Sequence, residues 1–241
     1  MVTSPAGLDR KADRSTDRSR GLCLFDLDDT LLPIDSDHAW GDFVIRLGWV
    51  EEGPFRRGND AFYAAYKEGR LDIHAYIEFA TQPLRSRSVE SLSEAHARFM
   101  REVVMPAVRP EALELVRDHQ ARGDWIALVT ATNDFVTGPI AKAFGIADLI
   151  AVRLERAAGG TITGRIAGTP SFRQGKVTRV EEWLAEGGCA WRDFDRISVY
   201  SDSVNDLPLL ERATEPVATN PSQALEAIAR ERGWRILNLF E

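Results

Sequence analysis

The sequence has few cysteines, no long apolar run and no excess of positive charge, and each absence excludes a class of protein. Two cysteines cannot build a disulfide framework, so a reducing, cytoplasmic setting is expected. No stretch approaches the roughly 20 apolar residues that a membrane-spanning helix needs. The 37 acidic residues outnumber the 30 lysines and arginines and give a net charge of −7, which argues against nucleic-acid and anionic-membrane binding.

What the sequence does contain is typical of a globular protein. Its 241 residues suit one large domain, or a core with a smaller lobe, and a 44% apolar share is ample for a sizeable core. Residues 1–20 are rich in charged and small polar side chains and lack the apolar segment of a secretory signal. We expect them to form a poorly ordered or extended tail.

The stretch around which the chain is organised starts at Gly21. The run from Gly21 to Phe25 is small and apolar, which is typical of a buried parallel strand. Asp26 and Asp28 follow, two residues apart, so strand periodicity points both side chains the same way. Because ligand crevices lie at the carboxyl ends of strands in open α/β sheets, these acids indicate a ligand site. A turn or helix cap that merely closes the strand is the alternative.

Residues 34–105 have helical periodicity and contain no convincing strand. Since this helical segment directly follows the first strand, we interpret it as a cap lobe over the crevice, with hinges near Pro33 and Pro106. The alternative is a set of extra helices that pack on one face of the sheet.

From residue 106 onwards, strand and helix patterns alternate, which predicts a doubly wound, mostly parallel, Rossmann-like sheet in an α/β fold. The core would comprise residues 21–33 and 106–241. A hairpin is expected around Gly159 and Gly160. The predicted strands after the first cover residues 125–130, 149–154, 197–200, 216–218 and 234–237.

Four groups of polar residues lie at or just beyond strand ends. They are Asp26 with Asp28, Thr130 after an apolar run, Lys176 at a helix start, and the segment from Asp202 to Asp206. Taken singly, a threonine there is usually a cap and a lysine is usually solvated. Their joint order along parallel strands is much harder to obtain by chance.

These motifs resemble those of the haloacid dehalogenase superfamily, specifically its phosphoserine-phosphatase-like branch with a helical cap. The first motif is Asp26-Leu27-Asp28-Asp29-Thr30, the second is Leu128-Val129-Thr130, the third is Lys176, and the fourth runs from Asp202 to Asp206. All four occur in the family order, and the resemblance extends from about residue 21 to residue 218. It implies a Mg²⁺-dependent phosphatase that acts on a small phosphorylated metabolite.

The residue types suit that chemistry. A carboxylate can attack phosphorus and form an aspartyl-phosphate, which divides one difficult step into two, and Asp26 is the predicted nucleophile. Asp26 and Asp202 are the predicted side-chain ligands of Mg²⁺, and the resemblance adds the backbone carbonyl of Asp28. Asp28 would also act as general acid and then general base.

The remaining predicted site residues bind the phosphoryl group or support those that do. Lys176, Thr130 and backbone N–H groups near Ala131 would bind the phosphoryl oxygens. Asn205 and Asp206 would fix Lys176 and the water shell of the metal.

The helical segment should select the substrate. Phosphoserine phosphatases present an arginine to the substrate carboxylate from a segment after a Gly-Lys/Arg-Leu turn. Here that turn is 69–71, and residues 73–80 contain no arginine. Asp35, Asp37 and Glu78 could instead face the pocket and suit an ammonium or imidazolium, as in histidinol phosphate. Alternatively, Asp35 and Asp37 merely cap a helix.

Other activities remain compatible with parts of this pattern. Phosphoserine phosphatase and a phosphoryl-transferring mutase would use the same four motifs. A dehalogenase shares the fold, but Asp28 and the metal-binding acids argue against it. A binding module without activity would normally have lost one of the four motifs, and none is missing. The sequence does not indicate an oligomeric state.

Overall fold

The computed structural model describes residues 20–240. The tail predicted over residues 1–20 therefore lies, except for Arg20, outside the described residues. Within 20–240, no helix combines the length and apolar character needed to cross a bilayer.

The centre of the fold is a six-stranded parallel sheet with the strand order β3-β2-β1-β6-β7-β8. A separate antiparallel hairpin pairs β4 with β5. This arrangement confirms the predicted α/β class with a doubly wound sheet. The strands are β1 (Gly21–Phe25), β2 (Trp125–Asn133), β3 (Asp148–Val152), β4 (Leu154–Arg156), β5 (Ile162–Ile166), β6 (Arg196–Ser201), β7 (Glu215–Thr219) and β8 (Arg235–Leu237).

Helices connect the strands and cover both faces of the sheet, and most begin at the residues that the sequence indicates. Asp72, Ser88, Asn133 and Ser222 each accept a backbone N–H bond as N-cap residues. The helices are α1 (Ser36–Arg46), α2 (Glu52–Lys67), α3 (Ile73–Ala80), α4 (Val89–Phe99), α5 (Met105–Ala107), α6 (Pro110–Arg122), α7 (Asp134–Ala143), α8 (Gln174–Glu186), α9 (Leu207–Leu210) and α10 (Gln223–Arg232).

Alternate residues of β1 pack into two different layers of the core. Leu22 and Leu24 contact the cluster formed with α8, α9 and α10, whereas Cys23 and Phe25 belong to the cluster formed with α6 and α7. All five residues of the strand are buried because both faces of the sheet are covered. Cys23 thus packs as a small hydrophobic residue.

The strand predicted over residues 149–154 is wrong in one respect. The sheet strand β3 ends at Val152, and Leu154 starts the first strand of the hairpin, which pairs with β5 around the predicted glycine turn. The apolar run continues through both pieces, so periodicity alone could not reveal that the chain leaves the sheet at Arg153.

Every regular element between β1 and β2 that the structure describes is helical. The apolar side chains of this segment join the same cluster as one face of the sheet, so the two share a continuous core. Residues 89–107 form one helical run that includes a π-helical turn at Met100–Val104, and Pro106 lies inside it rather than in a loop. That residues 34–105 act as a cap stays a prediction.

Because this core is continuous, we expect Phe99→Ala to destabilise the whole chain. Phe99 is fully buried and meets Trp40 edge-on, with ring centroids 5.1 Å apart. The free energy of unfolding should fall by about 3–5 kcal/mol in urea, with one transition seen both by circular dichroism and by tryptophan fluorescence. The exposed control Val89→Ala should change little. Two separated transitions in the wild type would contradict a shared core.

Candidate active site

The predicted acids meet at the carboxyl end of the central strands. The ladder between β1 and β6 continues past β1, since the Asp26 N–H donates to the Tyr200 carbonyl at 2.9 Å. Asp202 directly follows β6, and Thr130 lies within β2 on the other side of β1. Parallel pairing in this order therefore brings three distant segments to one edge of the sheet.

Lys176 connects the segment after β1 with the segment after β6. Its ammonium group is fully buried and donates to Asp26 Oδ1 at 2.8 Å and to Asp206 Oδ2 at 2.6 Å. Ser201 Oγ donates to the same oxygen of Asp206. A tight turn holds the lysine in place, because a Cβ on Gly175 would lie 2.1 Å from the Pro170 carbonyl oxygen.

The site holds more negative charge than Lys176 can compensate. Burial alone would lower the pKa of Lys176, but Asp206 and Asp26 outweigh burial and raise it. Burial raises the pKa of Asp26 to about 7, although Lys176 opposes the rise. Burial, followed by the charge of Asp26, also raises the pKa of Asp202 well above its usual range. Another cation at this position would stabilise both carboxylates.

Asp26 and Asp202 converge on one hydroxyl group. Thr30 Oγ1 lies 3.2 Å from Asp26 Oδ2 and 3.4 Å from Asp202 Oδ1, and it accepts a bond from the Asp202 N–H at 3.0 Å. No group of three or more His, Cys, Asp or Glu side chains within residues 20–240 is arranged to hold a metal ion. The carboxylates of Asp26 and Asp202, whose negative charge Lys176 only partly compensates, nevertheless supply oxygen ligands that fit Mg²⁺. This ion is bound by few protein ligands and several waters.

Asp28 faces the helical segment instead. Its Oδ1 accepts from the Ser36 N–H at 2.7 Å, at the start of α1, and its Oδ2 accepts from Thr132 Oγ1 at 2.8 Å. Burial raises the pKa of Asp28 to about 7, with a further contribution from the charge of Asp35, while the bonds from Ser36 and Thr132 oppose the rise. The carboxyl group is thus fixed between β2 and α1.

The second motif lines the same cavity. Thr130 is fully buried, and its Oγ1 accepts from the Thr132 N–H at 3.0 Å. Both Thr130 and Ala131 contribute to the cavity wall beside Asp26 and Asp28. Both residues lie within β2, which continues to Asn133, so the strand end predicted at residue 130 is wrong because the polar residues after Val129 keep the extended backbone. That they bind phosphate stays a prediction.

The fourth motif differs from expectation at Asn205. Asp206 contacts Lys176 as predicted, but the Asn205 side chain does not. Its Nδ2 donates to the Tyr66 carbonyl at 3.1 Å and its Oδ1 accepts from Arg173 Nε at 3.4 Å. Asn205 faces the end of α2 because it lies one position before Asp206 in a tight 3₁₀ turn, which points the two side chains in different directions.

Residues at the end of α2 make further bonds to the core. Arg173 donates to the Gly69 carbonyl. Lys67 Nζ bonds Asp29 Oδ2 at 2.5 Å and lies 4.0 Å from Asp202 Oδ2. Burial opposes the charge of Lys67, but the bond to Asp29 raises its pKa overall. The helical segment therefore contacts the loops that carry the predicted catalytic acids.

A cavity between the sheet edge and these helices is lined by four aspartates and one histidine. Neither lysine nor arginine lines it among the described residues. Of the residues expected there, Asp35 both lines the cavity and caps α1 through the His38 N–H, so its two predicted roles coexist. The other members of the lining include Asp26, Asp28, Asp37, His38, Asn59, Phe62, Tyr63, Tyr66 and Tyr76.

The prediction that Glu78 faces the pocket is wrong. Several other residues at the site were not predicted from the sequence. Glu78 is exposed and lies outside this cavity, since α3 turns its opposite face inward. Thr132 and Asn133 continue the polar run after Thr130, which was an available signal. The sequence gives no such signal for Lys67 or Tyr76, because a lysine at a helix end and a tyrosine in an apolar helical stripe are both common.

The charge balance predicts that Lys176→Met destabilises the protein. Without the ammonium group, Asp26 and Asp206 would stay buried without a cation, at a cost of about 3–5 kcal/mol in the free energy of unfolding. Urea denaturation at neutral pH measures this change. Lys142→Met, on the exposed side of α7, is the control and should change little. A loss below about 1 kcal/mol for Lys176→Met would show that the pair is not needed for burial of the acids.

The chain is similar to several known proteins. A histidinol-phosphatase of Neisseria meningitidis serogroup C (strain 8013) is 43% identical over 219 residues, which cover 91% of this chain and 99% of that protein. A crystal structure of a protein of unknown function from Bordetella pertussis Tohama I is 50% identical, with a TM-score of 0.87 over 92% of this chain and all of that one.

A substrate-bound phosphoserine phosphatase structure has the same fold. Its TM-score is 0.66 at 18% identity, and the match covers 92% of this chain and 94% of that one. The model of the haloacid dehalogenase-like hydrolase family matches residues 23–211, which include all four motifs. The chain therefore belongs to the haloacid dehalogenase-like hydrolases, as the motifs predicted.

Proposed function

We propose that this protein is a Mg²⁺-dependent phosphatase that hydrolyses histidinol phosphate through an aspartyl-phosphate intermediate. The observation that carries the proposal is the position of Asp26, bonded to the buried Lys176 and lining a cavity that contains acids but no lysine or arginine. The 43% identity to a protein named histidinol-phosphatase, over nearly the full length of both chains, supports the same substrate.

In this mechanism, Asp26 attacks the phosphorus and forms the acyl phosphate. Lys176 fixes the carboxylate through Oδ1, which leaves Oδ2 directed towards Thr30 and Asp202 as the attacking atom. Lys176 also offers positive charge to the phosphoryl oxygens. The Thr130 hydroxyl and the backbone N–H of Ala131 would donate to the same oxygens as charge accumulates in the transition state.

Mg²⁺ would be held by the Asp26 and Asp202 carboxylates, with the Asp28 carbonyl as a third protein ligand. When bound, it neutralises the repulsion between the attacking carboxylate and the anionic phosphate. Lys67, which lies 4.0 Å from Asp202, would orient Asp29 beside this site rather than replace the metal.

Asp28 would transfer the protons. Its carboxyl group must hold a proton when the ester bond breaks, so that the leaving alcohol departs neutral, and it then accepts a proton from the hydrolytic water. Burial beside Asp35 favours the protonated form, which suits the first of these roles.

The lining of the cavity favours a cationic substrate over phosphoserine. A phosphoserine carboxylate would meet Asp28, Asp35 and Asp37 without a lysine or arginine to bind it. The ammonium and imidazole groups of histidinol phosphate would instead supply positive charge and N–H donors to these acids. Phosphoserine phosphatase remains the second candidate, supported by the shared motifs.

A phosphate-release assay on a panel of substrates tests the proposal. With Mg²⁺, histidinol phosphate should give a kcat/KM well above those for phosphoserine, phosphoethanolamine and sugar phosphates. EDTA should abolish release and added Mg²⁺ should restore it. Asp26→Asn should lose turnover while the exposed Asp118→Asn keeps it. Preference for phosphoserine would refute the substrate, and sugar-phosphate isomerisation without phosphate release would indicate a mutase.

The general-acid role predicts a dependence on the leaving group. Asp28→Asn cannot protonate the leaving oxygen, so hydrolysis of histidinol phosphate should slow by roughly 10²–10⁴-fold. Hydrolysis of p-nitrophenyl phosphate should slow much less, because a nitrophenolate departs without a proton. Steady-state kinetics on both substrates gives the comparison. Equal losses on the two would assign Asp28 a role other than acid catalysis.

A further inference from the structure

Asp37 has one carboxylate oxygen without a partner inside the cavity. The side chain is 5% exposed and lies in the first turn of α1. Its Oδ1 accepts from Asn133 Nδ2 at 3.2 Å. Its Oδ2 is buried and has no hydrogen-bond donor among the residues that the structure describes. A buried carboxylate oxygen normally has a donor, so this one points to a ligand that is absent from the protein itself.

No protein cation explains the burial of Asp37. None of the ion pairs formed within the described part of the chain includes it. Burial and the neighbouring charges of Asp35 and Asp28 raise its pKa well above its usual range. The Tyr76 hydroxyl faces Asp37 and opposes this rise through a partial hydrogen bond, while Oδ2 has no donor at full hydrogen-bond geometry. An incoming N–H donor with positive character would relieve both the desolvation and the missing bond.

Asp37 lies next to Asp28 along two elements of the cavity wall, α1 and β2. Asp28 is bonded by the Ser36 N–H and by Thr132 Oγ1, whereas Asp37 follows Ser36 and is bonded by Asn133, which follows Thr132. Asp28 is the proposed acid for the ester oxygen, so Asp37 lies one residue farther along both elements from the acid that serves the ester. A substrate whose ring lies beyond its ester and ammonium groups matches that order.

The surroundings of Asp37 suit a planar ring. Tyr76 lines the cavity with Phe62, and their ring centroids lie 5.4 Å apart. Tyr63 and Tyr66 line the same space. Aromatic walls with one carboxylate are a recurring way to hold a flat, partly cationic ring, since stacking and a charge-assisted bond act together.

We propose that Asp37, held by Asn133 and facing Tyr76, is the specificity-determining residue that accepts the N–H of the substrate's imidazole ring. In this arrangement Asp35 binds the ammonium group, and Asp37 contacts the part of the substrate that lies beyond it. Asn133 is a positioning residue, because it fixes Oδ1 and so directs Oδ2 into the cavity. This inference rests on the proposed activity towards histidinol phosphate.

The test compares two substrates that share the phosphate and ammonium groups but differ in the ring. These are histidinol phosphate and phosphoethanolamine, and the readout is the ratio of their kcat/KM values. Asp37→Asn should lower the ratio by about 10- to 100-fold, because the amide lacks the negative charge that strengthens the bond to the ring N–H. Asp35→Asn, the matched control, should lower both values together and change the ratio by less than about threefold.

Two further measurements separate recognition from folding. Asn133→Ser keeps an oxygen that can cap α7 but cannot reach Asp37, so the ratio should fall in the same direction by a smaller factor. Calorimetric titration of the Mg²⁺-loaded protein with histidinol should give a weaker affinity for Asp37→Asn by the same factor as the ratio. If Asp37→Asn does not fold, the same ratio and the same titration measured on Asn133→Ser decide the matter.

The outcomes distinguish the two proposals. A wild-type ratio near one would refute histidinol phosphate as the substrate, and the role of Asp37 with it. A high wild-type ratio that Asp37→Asn and Asn133→Ser leave unchanged would overturn the role of Asp37 alone. A ratio that falls equally in Asp35→Asn and Asp37→Asn would also overturn it, since Asp37 would then not be the acid that distinguishes the ring from the ammonium group.

Discussion

The buried ion pair of Lys176 with Asp26 and Asp206 is the interaction on which the rest of the site depends. It joins residues that are 150 and 30 positions apart in the chain and fixes the carboxylate of Asp26 at the end of the central strand. One ammonium group cannot compensate all the acids gathered here, because Asp202 also faces Asp26 without a full partner. The folded protein thus retains negative charge at one edge of the sheet, which favours a divalent cation there.

The helical segment contacts the same acids from the other side. Ser36 bonds Asp28, Lys67 bonds Asp29, and the Tyr66 carbonyl accepts from Asn205. These contacts bring the groups proposed to select the substrate next to those proposed to transfer the phosphoryl group. The helices α1 and α2, which both line the cavity, therefore also affect the positions of motif residues. This arrangement explains how a common fold can acquire a particular substrate through changes in one inserted segment.

Most of the fold and the centre of the site follow from local sequence. The apolar run ending at Asp26 predicts a buried strand, and the alternation after residue 106 predicts a parallel sheet, so the convergence of Asp26, Thr130, Lys176 and Asp202 follows from topology alone. Contacts between the helical segment and the sheet could not be predicted from the sequence. The Asn133–Asp37 and Lys67–Asp29 bonds join residues 96 and 38 positions apart, and they depend on how helices pack, which periodicity does not specify. The contacts of Asn205 with Tyr66 and Arg173 could not be predicted for the same reason: its motif fixes its position but not which neighbour its amide meets.

The most direct test of this account is chemical trapping of the intermediate. The enzyme would be mixed with Mg²⁺ and excess histidinol phosphate, quenched in acid within milliseconds, and reduced with borohydride, which converts an aspartyl-phosphate to homoserine. Peptide mass spectrometry then locates the converted residue. The account predicts homoserine at position 26 and nowhere else, dependent on both substrate and Mg²⁺. Homoserine at position 28 or 202, or none at any position while phosphate is released, would contradict it.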